Sequence, residues 1–195
     1  RLLDLAEQQS ADMLEELVKN GVRIIHGSGR LDGNHHVIAT PSDGSQEERL
    51  EAKTIIVAVG ATPRELDDAK PDGERIFTWA QLYNLQELPE HMIVVGSGVT
   101  GAEFASAYSY LGSKVTLISS RDTILPSSDA DASAVIDTVF RRNGINILNK
   151  SRADKVVNTG DGVEVTLSTG EVVKGSHCLM AVGAIPNTAG LGLEE

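Results

Sequence analysis

Met92-Ile93-Val94-Val95-Gly96-Ser97-Gly98-Val99-Thr100-Gly101-Ala102-Glu103 joins an apolar run to a helix-forming one through three glycines. Four apolar residues in succession suit a strand buried on both faces of a parallel sheet, and residues 103–111 carry helix formers. Each glycine has its own task in such a strand–turn–helix unit. Gly96 permits the tight turn off the strand, Gly98 lets an anion such as a pyrophosphate approach bare backbone, and Gly101 lets the helix lie close against the sheet. Free N–H groups at the helix start then face the anion with about half a positive charge, worth about 0.3–2 kcal/mol. The same glycines can also serve packing alone, so the flanking sequence decides between the two readings.

Downstream, the helix is expected to end at Leu111-Gly112, and residues 114–118 supply a second parallel strand, closing a βαβ unit within about 30 residues. Ser128 or Asp129 can cap a further helix through Arg142, Asn143-Gly144 stops it, and residues 145–148 make a third strand. The pattern then changes to alternation over residues 155–157, 163–167 and 171–173. Thr159-Gly160-Asp161-Gly162 and Ser168-Thr169-Gly170 separate these runs as hairpin turns, so a β-meander takes the place of later crossover helices. Residues 177–182 form a last buried strand that leads into Gly183-Ala184-Ile185-Pro186-Asn187-Thr188.

Upstream, Thr78 caps a short helix through Tyr83, and the charged residues 63–71 read as a linker. Residues 54–59 are read as a buried strand running into the turn Gly60-Ala61-Thr62-Pro63. Residues 22–25, 36–39 and 49–51 suggest a small antiparallel meander, preceded by an amphipathic helix over residues 1–20 with Gly21 as its left-handed cap.

The chain has 195 residues, a net charge of −11 and no Lys/Arg cluster able to track a phosphate backbone, which argues against nucleic acid and anionic membrane surfaces as partners. Its longest apolar runs fall far short of the roughly 20 residues that span a bilayer, and no signal-peptide pattern opens it, so a cytoplasmic location is expected. Cys178, the sole cysteine, leaves no internal disulfide or redox pair within these residues and is read as a buried spectator. No metal site is expected: adjacent His35 and His36 point to opposite sides of a strand, as do His177 and Cys178. Trp79, near a helix start, is read as a packing anchor between domains. An opening Arg1 and an end just after an apparent loop predict a piece of a longer protein.

Three separated stretches, Thr54-Ile55-Ile56-Val57-Ala58-Val59-Gly60-Ala61-Thr62-Pro63, the glycine turn with Glu103, and Ala181-Val182-Gly183-Ala184-Ile185-Pro186-Asn187-Thr188, together resemble the pyridine nucleotide-disulfide oxidoreductases, the flavoproteins with two dinucleotide-binding domains. Asp72-Gly73-Glu74-Arg75-Ile76-Phe77-Thr78-Trp79 is similar to the branch of lipoamide-dehydrogenase-like NAD(P)H quinone reductases. The resemblance implies an α/β fold in which a Rossmann-like parallel sheet with a β-meander, the NAD(P)-binding domain at residues 77–183, is inserted in a partial FAD-binding domain. Residues 1–76 are then the end of the first FAD-domain segment with its linker, and residues 184–195 begin the return. The implied activity is passage of a hydride from NADPH or NADH to FAD and on to a small acceptor, a quinone, in a full-length homodimer. Dihydrolipoyl dehydrogenase, with a disulfide substrate, is the alternative within the class, and a non-catalytic nucleotide-binding module the alternative outside it. The FAD pyrophosphate turn and any cysteine pair are implied to precede Arg1.

By the same resemblance, Gly96, Ser97, Gly98, Val99, Thr100 and Gly101 hold the nucleotide pyrophosphate, and Gly60 and Gly183 line the cofactor cleft. Glu103 matches the glutamate that pairs with a lysine beside the flavin; as a bare residue it reads equally as a helix-start acid favoured by the dipole. Where an NAD enzyme is expected to carry a ribose-binding acid, this chain has Ser119, Ser120 and Arg121, which can donate to a 2'-phosphate, each charge-assisted bond being worth about 1.5–3 kcal/mol. Acceptance of NADPH is therefore expected, the alternative being that Arg121 is a solvated loop cation and Asp122 serves NADH. Gly183-Ala184 departs from the family's usual Gly-Arg.

Overall fold

The computed structural model describes residues 2–193. The chain forms two compact units, one of Thr62–Ile185 and one of the chain before Thr62 with that after Ile185. The latter opens with α1 (Leu2–Lys19), which ends as the sequence predicts: Gly21 lies at φ +78°, its N–H donates to the Val18 carbonyl, and the Val22 N–H to that of Leu17. Leu5, Met13, Leu17 and Val18 are all exposed. The expected antiparallel meander is present as β1 (Gly27–Leu31), β2 (His36–Pro41) and β3 (Glu48–Glu51), paired in that order.

Two expectations fail here. Residues 22–25 are not a strand; β1 lies downstream, where Gly27 sits so close to β2 that a Cβ would stand 2.1 Å from the Thr40 carbonyl oxygen. Glycines carry no strand signal, so a strand defined by close approach was invisible to propensity. Residues 54–59 are not a buried strand either, and Ile56 is 87% exposed. A buried parallel strand needs hydrogen-bond partners on both sides, and none of the described strands runs beside this segment. Beyond it come β4 (Ala61–Pro63), which pairs with Ala184–Pro186, and the second unit.

In that unit a five-stranded parallel sheet forms from β5 (Ile76–Phe77), β6 (His91–Val95), β7 (Lys114–Ile118), β8 (Asn146–Leu148) and the later His177–Met180, in the order β5, His177–Met180, β6, β7, β8. Between them lie α2 (Trp79–Leu82), α3 (Val99–Leu111) and α4 (Ala130–Arg142). The side chains of β6 alternate by the two-residue period of a strand. Met92 and Val94 pack with Ala102, Ala105 and Phe140 in the helical layer, whereas Ile93 and Val95 pack with Val156, Val163 and Val165 of an antiparallel layer. That layer is the expected meander: β9 (Ala153–Asn158), β10 (Val163–Leu167) and β11 (Val172–Gly175), followed by β12 (His177–Met180) and β13 (Ala184–Pro186). Helices, parallel sheet and meander thus make three layers with a core on each side of the sheet.

Residues 63–71 do not hang free as a linker. Asp67–Ala69 makes a 3-10 turn whose alanine is buried with Val156 and Met180. Charge density reported the solvent side of this turn and missed its one packing residue. The next turn is held by Asp72, whose Oδ1 accepts the N–H groups of Glu74, Arg75 and Ile76 while Oδ2 accepts from Asn158 Nδ2 at 2.8 Å. Burial pushes this carboxyl up, but the backbone and Asn158 donors outweigh it and leave its pKa below the ordinary value. Trp79 packs on this unit's own core, beside the capping box of Thr78 and Gln81. Cys178 is buried in β12, where desolvation raises its pKa far out of the range of a reactive thiol.

Candidate nucleotide-binding site

β6 leaves the sheet at Gly96, which lies at φ +110° and whose absent Cβ would stand 2.2 Å from the Ala181 carbonyl oxygen. Two things therefore demand glycine there, the left-handed backbone and the neighbouring strand end. At Gly101 a Cβ would meet the Gly96 carbonyl oxygen at 1.9 Å, so α3 folds back against the turn that starts it. Gly98 is different in kind. It is exposed, with ordinary φ −70° and ψ −175°, and nothing lies within 4 Å of where its Cβ would be. The space that a side chain would take stays open.

Gly98 is also the N-cap of α3, and no side chain caps that helix. The other two α-helix starts in this unit are capped: Thr78 accepts the Gln81 N–H at α2, and Asp129 accepts those of Asp131 and Ala132 at α4. The first-turn N–H groups of an α-helix have no partner inside it, so those of Val99, Thr100 and Gly101 are directed outward at the carboxyl edge of the sheet. An oxyanion fits such a place, both by hydrogen bonding and by the helix dipole.

The surrounding topology is that of a ligand crevice. From β6 the chain winds through β7 to β8 on one side, while β12 pairs with β6 on the other, so the winding reverses between β6 and β12. Open α/β sheets bind ligands outside the carboxyl ends of strands at such a reversal. A cleft of about 510 Å³ lies there, reaching Gly96 and Val182, Ser120 after β7, and Arg152 and Asp154 after β8. Arg152 Nε and Asp154 Oδ1 are 2.9 Å apart. Neither residue stood out in the sequence. Their signal was positional: they follow β8, and every strand of the parallel sheet ends at this edge.

The three residues after β7 divide. Ser119 is fully buried, its Oγ 2.7 Å from that of Ser97, accepting the Arg121 N–H and lying within reach of the Arg121 carbonyl oxygen. Both serine hydroxyls thus tie the glycine turn to the next loop, while Ser120 and Arg121 are exposed. Asp122 faces Lys150, Nζ to Oδ2 at 3.6 Å. Glu103 is exposed on α3. Gly183 lies at φ +106° and its carbonyl accepts the Arg64 N–H; Gly60, in the other unit, lies at φ +70° and accepts from Asn187.

The profile of the pyridine nucleotide-disulphide oxidoreductases matches residues 4–195. The chain belongs to that family. Within it, the chain is 50% identical over 201 residues to a Mycobacterium tuberculosis NAD(P)H dehydrogenase (quinone), covering 100% of this chain and 41% of that protein. A dihydrolipoyl dehydrogenase of Zymomonas mobilis is 34% identical over 199 residues, covering 100% of this chain and 42% of the relative. The crystal structure of Mycobacterium tuberculosis LpdA superposes with a TM-score of 0.85 at 50% identity, over 98% of this chain and 43% of that one. The Escherichia coli flavoprotein disulfide reductase RclA superposes at 0.71 with 26% identity, over 89% and 39%. The chain therefore spans about two-fifths of the length of these family members.

Proposed function

We propose that this chain holds the diphosphate of NADH or NADPH at the turn between β6 and α3, and that it is the pyridine-nucleotide part of an FAD-dependent enzyme that reduces a quinone. The observation that carries the reading is the uncapped start of α3 behind a glycine with open space in front of it. Residues 77–183 are, in this reading, an NAD(P)-binding domain set between segments of an FAD domain. The quinone acceptor rests on the relative named for it at 50% identity. A disulfide acceptor is the second reading, favoured by the dihydrolipoyl dehydrogenase at 34%. A cytoplasmic homodimer belongs to the same proposal; none of the described helices is long and apolar enough to cross a membrane.

When bound, the reduced nicotinamide supplies a hydride and the flavin relays two electrons to the acceptor. The chain's own residues bind and orient. Amides of Val99, Thr100 and Gly101 donate to the diphosphate, Gly98 leaves room for its approach, and the Ser97–Ser119 hydroxyl pair fixes the turn against the loop that carries Ser120 and Arg121. Glu103 is proposed to position a lysine beside the flavin.

Gly98→Leu in the full-length holoenzyme tests this. Its backbone is one any residue adopts and a Cβ there meets nothing within 4 Å, so the protein should fold and keep its flavin. Affinity for both NADH and NADPH should fall at least about 100-fold, equivalent to about 2.7 kcal/mol. Unchanged titrations would remove the diphosphate from this turn, and a full-length protein that neither carries nor takes up FAD would end the enzyme reading.

A further inference from the structure

The loops after β7 and β8 lie against each other: the Lys150 N–H donates to the Arg121 carbonyl at 3.0 Å, and the Ser151 N–H to that of Ser119 at 2.8 Å. Ser120 and Ser151 both line the cleft that reaches Gly96, and each is followed or preceded directly by a cation, Arg121 after Ser120 and Lys150 before Ser151. Two features of Lys150 stand out. Its backbone is left-handed, at φ +54°, a conformation that disfavours a lysine and suits glycine. Its ammonium lies 3.6 Å from Asp122 Oδ2, both side chains being more than 70% exposed.

Asp122 matters because of where it stands. Acids at the end of the second strand of such a sheet accept bonds from the ribose diol of NADH and repel the 2'-phosphate of NADPH. Ser119 is buried and committed to its loop, and Asp122 is the carboxylate next along after Arg121. Left alone it would oppose the guanidinium of Arg121 in front of a phosphate.

Resting on the nucleotide reading above, we propose that Lys150 is the specificity-determining residue that makes NADPH acceptable, by neutralising Asp122 in the loop that runs on from Ser120. Lys150 is a positioning residue: it acts on the phosphate through the carboxylate it holds. An exposed pair of this kind is responsive to salt, so the preference it confers weakens as ionic strength rises.

The test uses the full-length holoenzyme and titrates NADPH and NADH separately. Lys150→Gly removes the charge while relieving the backbone, so it should fold at least as well as the parent. It should weaken NADPH about tenfold and leave NADH unchanged or tighter. Lys150→Arg should keep the parental ratio, and adding Asp122→Asn to Lys150→Gly should restore NADPH binding. At high salt the difference between parent and Lys150→Gly should shrink. An unchanged NADPH-to-NADH ratio in Lys150→Gly overturns the proposal, and so does a loss that Asp122→Asn fails to restore, because the ammonium would then act on the phosphate directly. Gly98→Leu separates the two levels of failure. If it spares both nucleotides the site itself is wrong; if it abolishes both while Lys150→Gly leaves their ratio alone, only the role of Lys150 is wrong.

Discussion

Two apolar runs of this chain read almost alike and fold in opposite ways. Residues 54–59 and residues 92–95 each end in a glycine with a positive φ, Gly60 and Gly96. The later run is β6, fully buried at Met92, Ile93 and Val94 and hydrogen-bonded on both sides. The earlier one has no strand partner among the described residues and leaves Ile56 almost fully exposed. Hydrophobicity supplies the motive for burial, and neighbouring strands supply the means. Within this chain, which spans about two-fifths of its relatives' length, residues 54–59 have the first and not the second.

The widest gap between the two runs should appear in stability. Ile93→Ala removes atoms from a packed site between sheet and meander, and should cost about 2–5 kcal/mol in denaturant unfolding of this chain. Ile56→Ala removes atoms already in water and should stay within about 0.5 kcal/mol. Amide hydrogen exchange offers the same contrast without mutation: the amides of Met92–Val95 should be protected close to the global limit, those of residues 55–59 hardly at all. Equal costs or equal protection would mean that the earlier run finds a partner in solution, and the comparison would collapse.

Within the glycine turn the same lesson applies on a smaller scale, because what a glycine means depends on what faces it. Gly101→Ala would push a methyl into the Gly96 carbonyl and should cost about 1–3 kcal/mol. Gly98→Ala meets nothing and should change stability by no more than about 1 kcal/mol, the lost glycine entropy offsetting a poorer cap. Thermal unfolding of the two variants side by side checks this, and a larger cost at Gly98 would show that the open space is needed by the fold rather than by a ligand.

The second unit was legible in the sequence wherever local chemistry and long-range pairing agree. The periodicity of residues 99–142, the caps at Thr78 and Asp129 and the hairpin turns of the meander all name their elements directly. Legibility failed where structure depends on a neighbour: β1 exists because Gly27 lets β2 approach, and residues 54–59 lack the neighbours that a strand requires. The site shows the same divide. Its glycines could be read one by one, whereas the burial of Ser119, the reach of Lys150 and the place of Arg152 in the cleft follow from two loops meeting in space.

The smallest handle on the contrast is pH, because the buried run begins at a histidine. His91 opens β6 with its Nε2 2.9 Å from Thr116 Oγ1, and its pKa is lowered by burial first and then by Lys114, against a weaker pull from Glu90. His177, opening the neighbouring β12, is lowered in the same way by burial and by Arg75, with Asp72 opposing. Ser176 Oγ links the two, accepting the His91 N–H and lying 3.0 Å from His177 Nδ1. With depressed folded pKa values, the unfolded chain takes up protons first. The contribution is therefore complete above about pH 6.5, where both states are neutral, and is lost as pH falls through the folded values. Solvent screening of these half-buried rings keeps the loss small. Unfolding midpoints measured from pH 7.5 down to 5 should decline, and replacing both histidines by glutamine should flatten that decline. An equally steep slope in the double variant would place the titrating groups elsewhere and leave the sheet edge indifferent to protons.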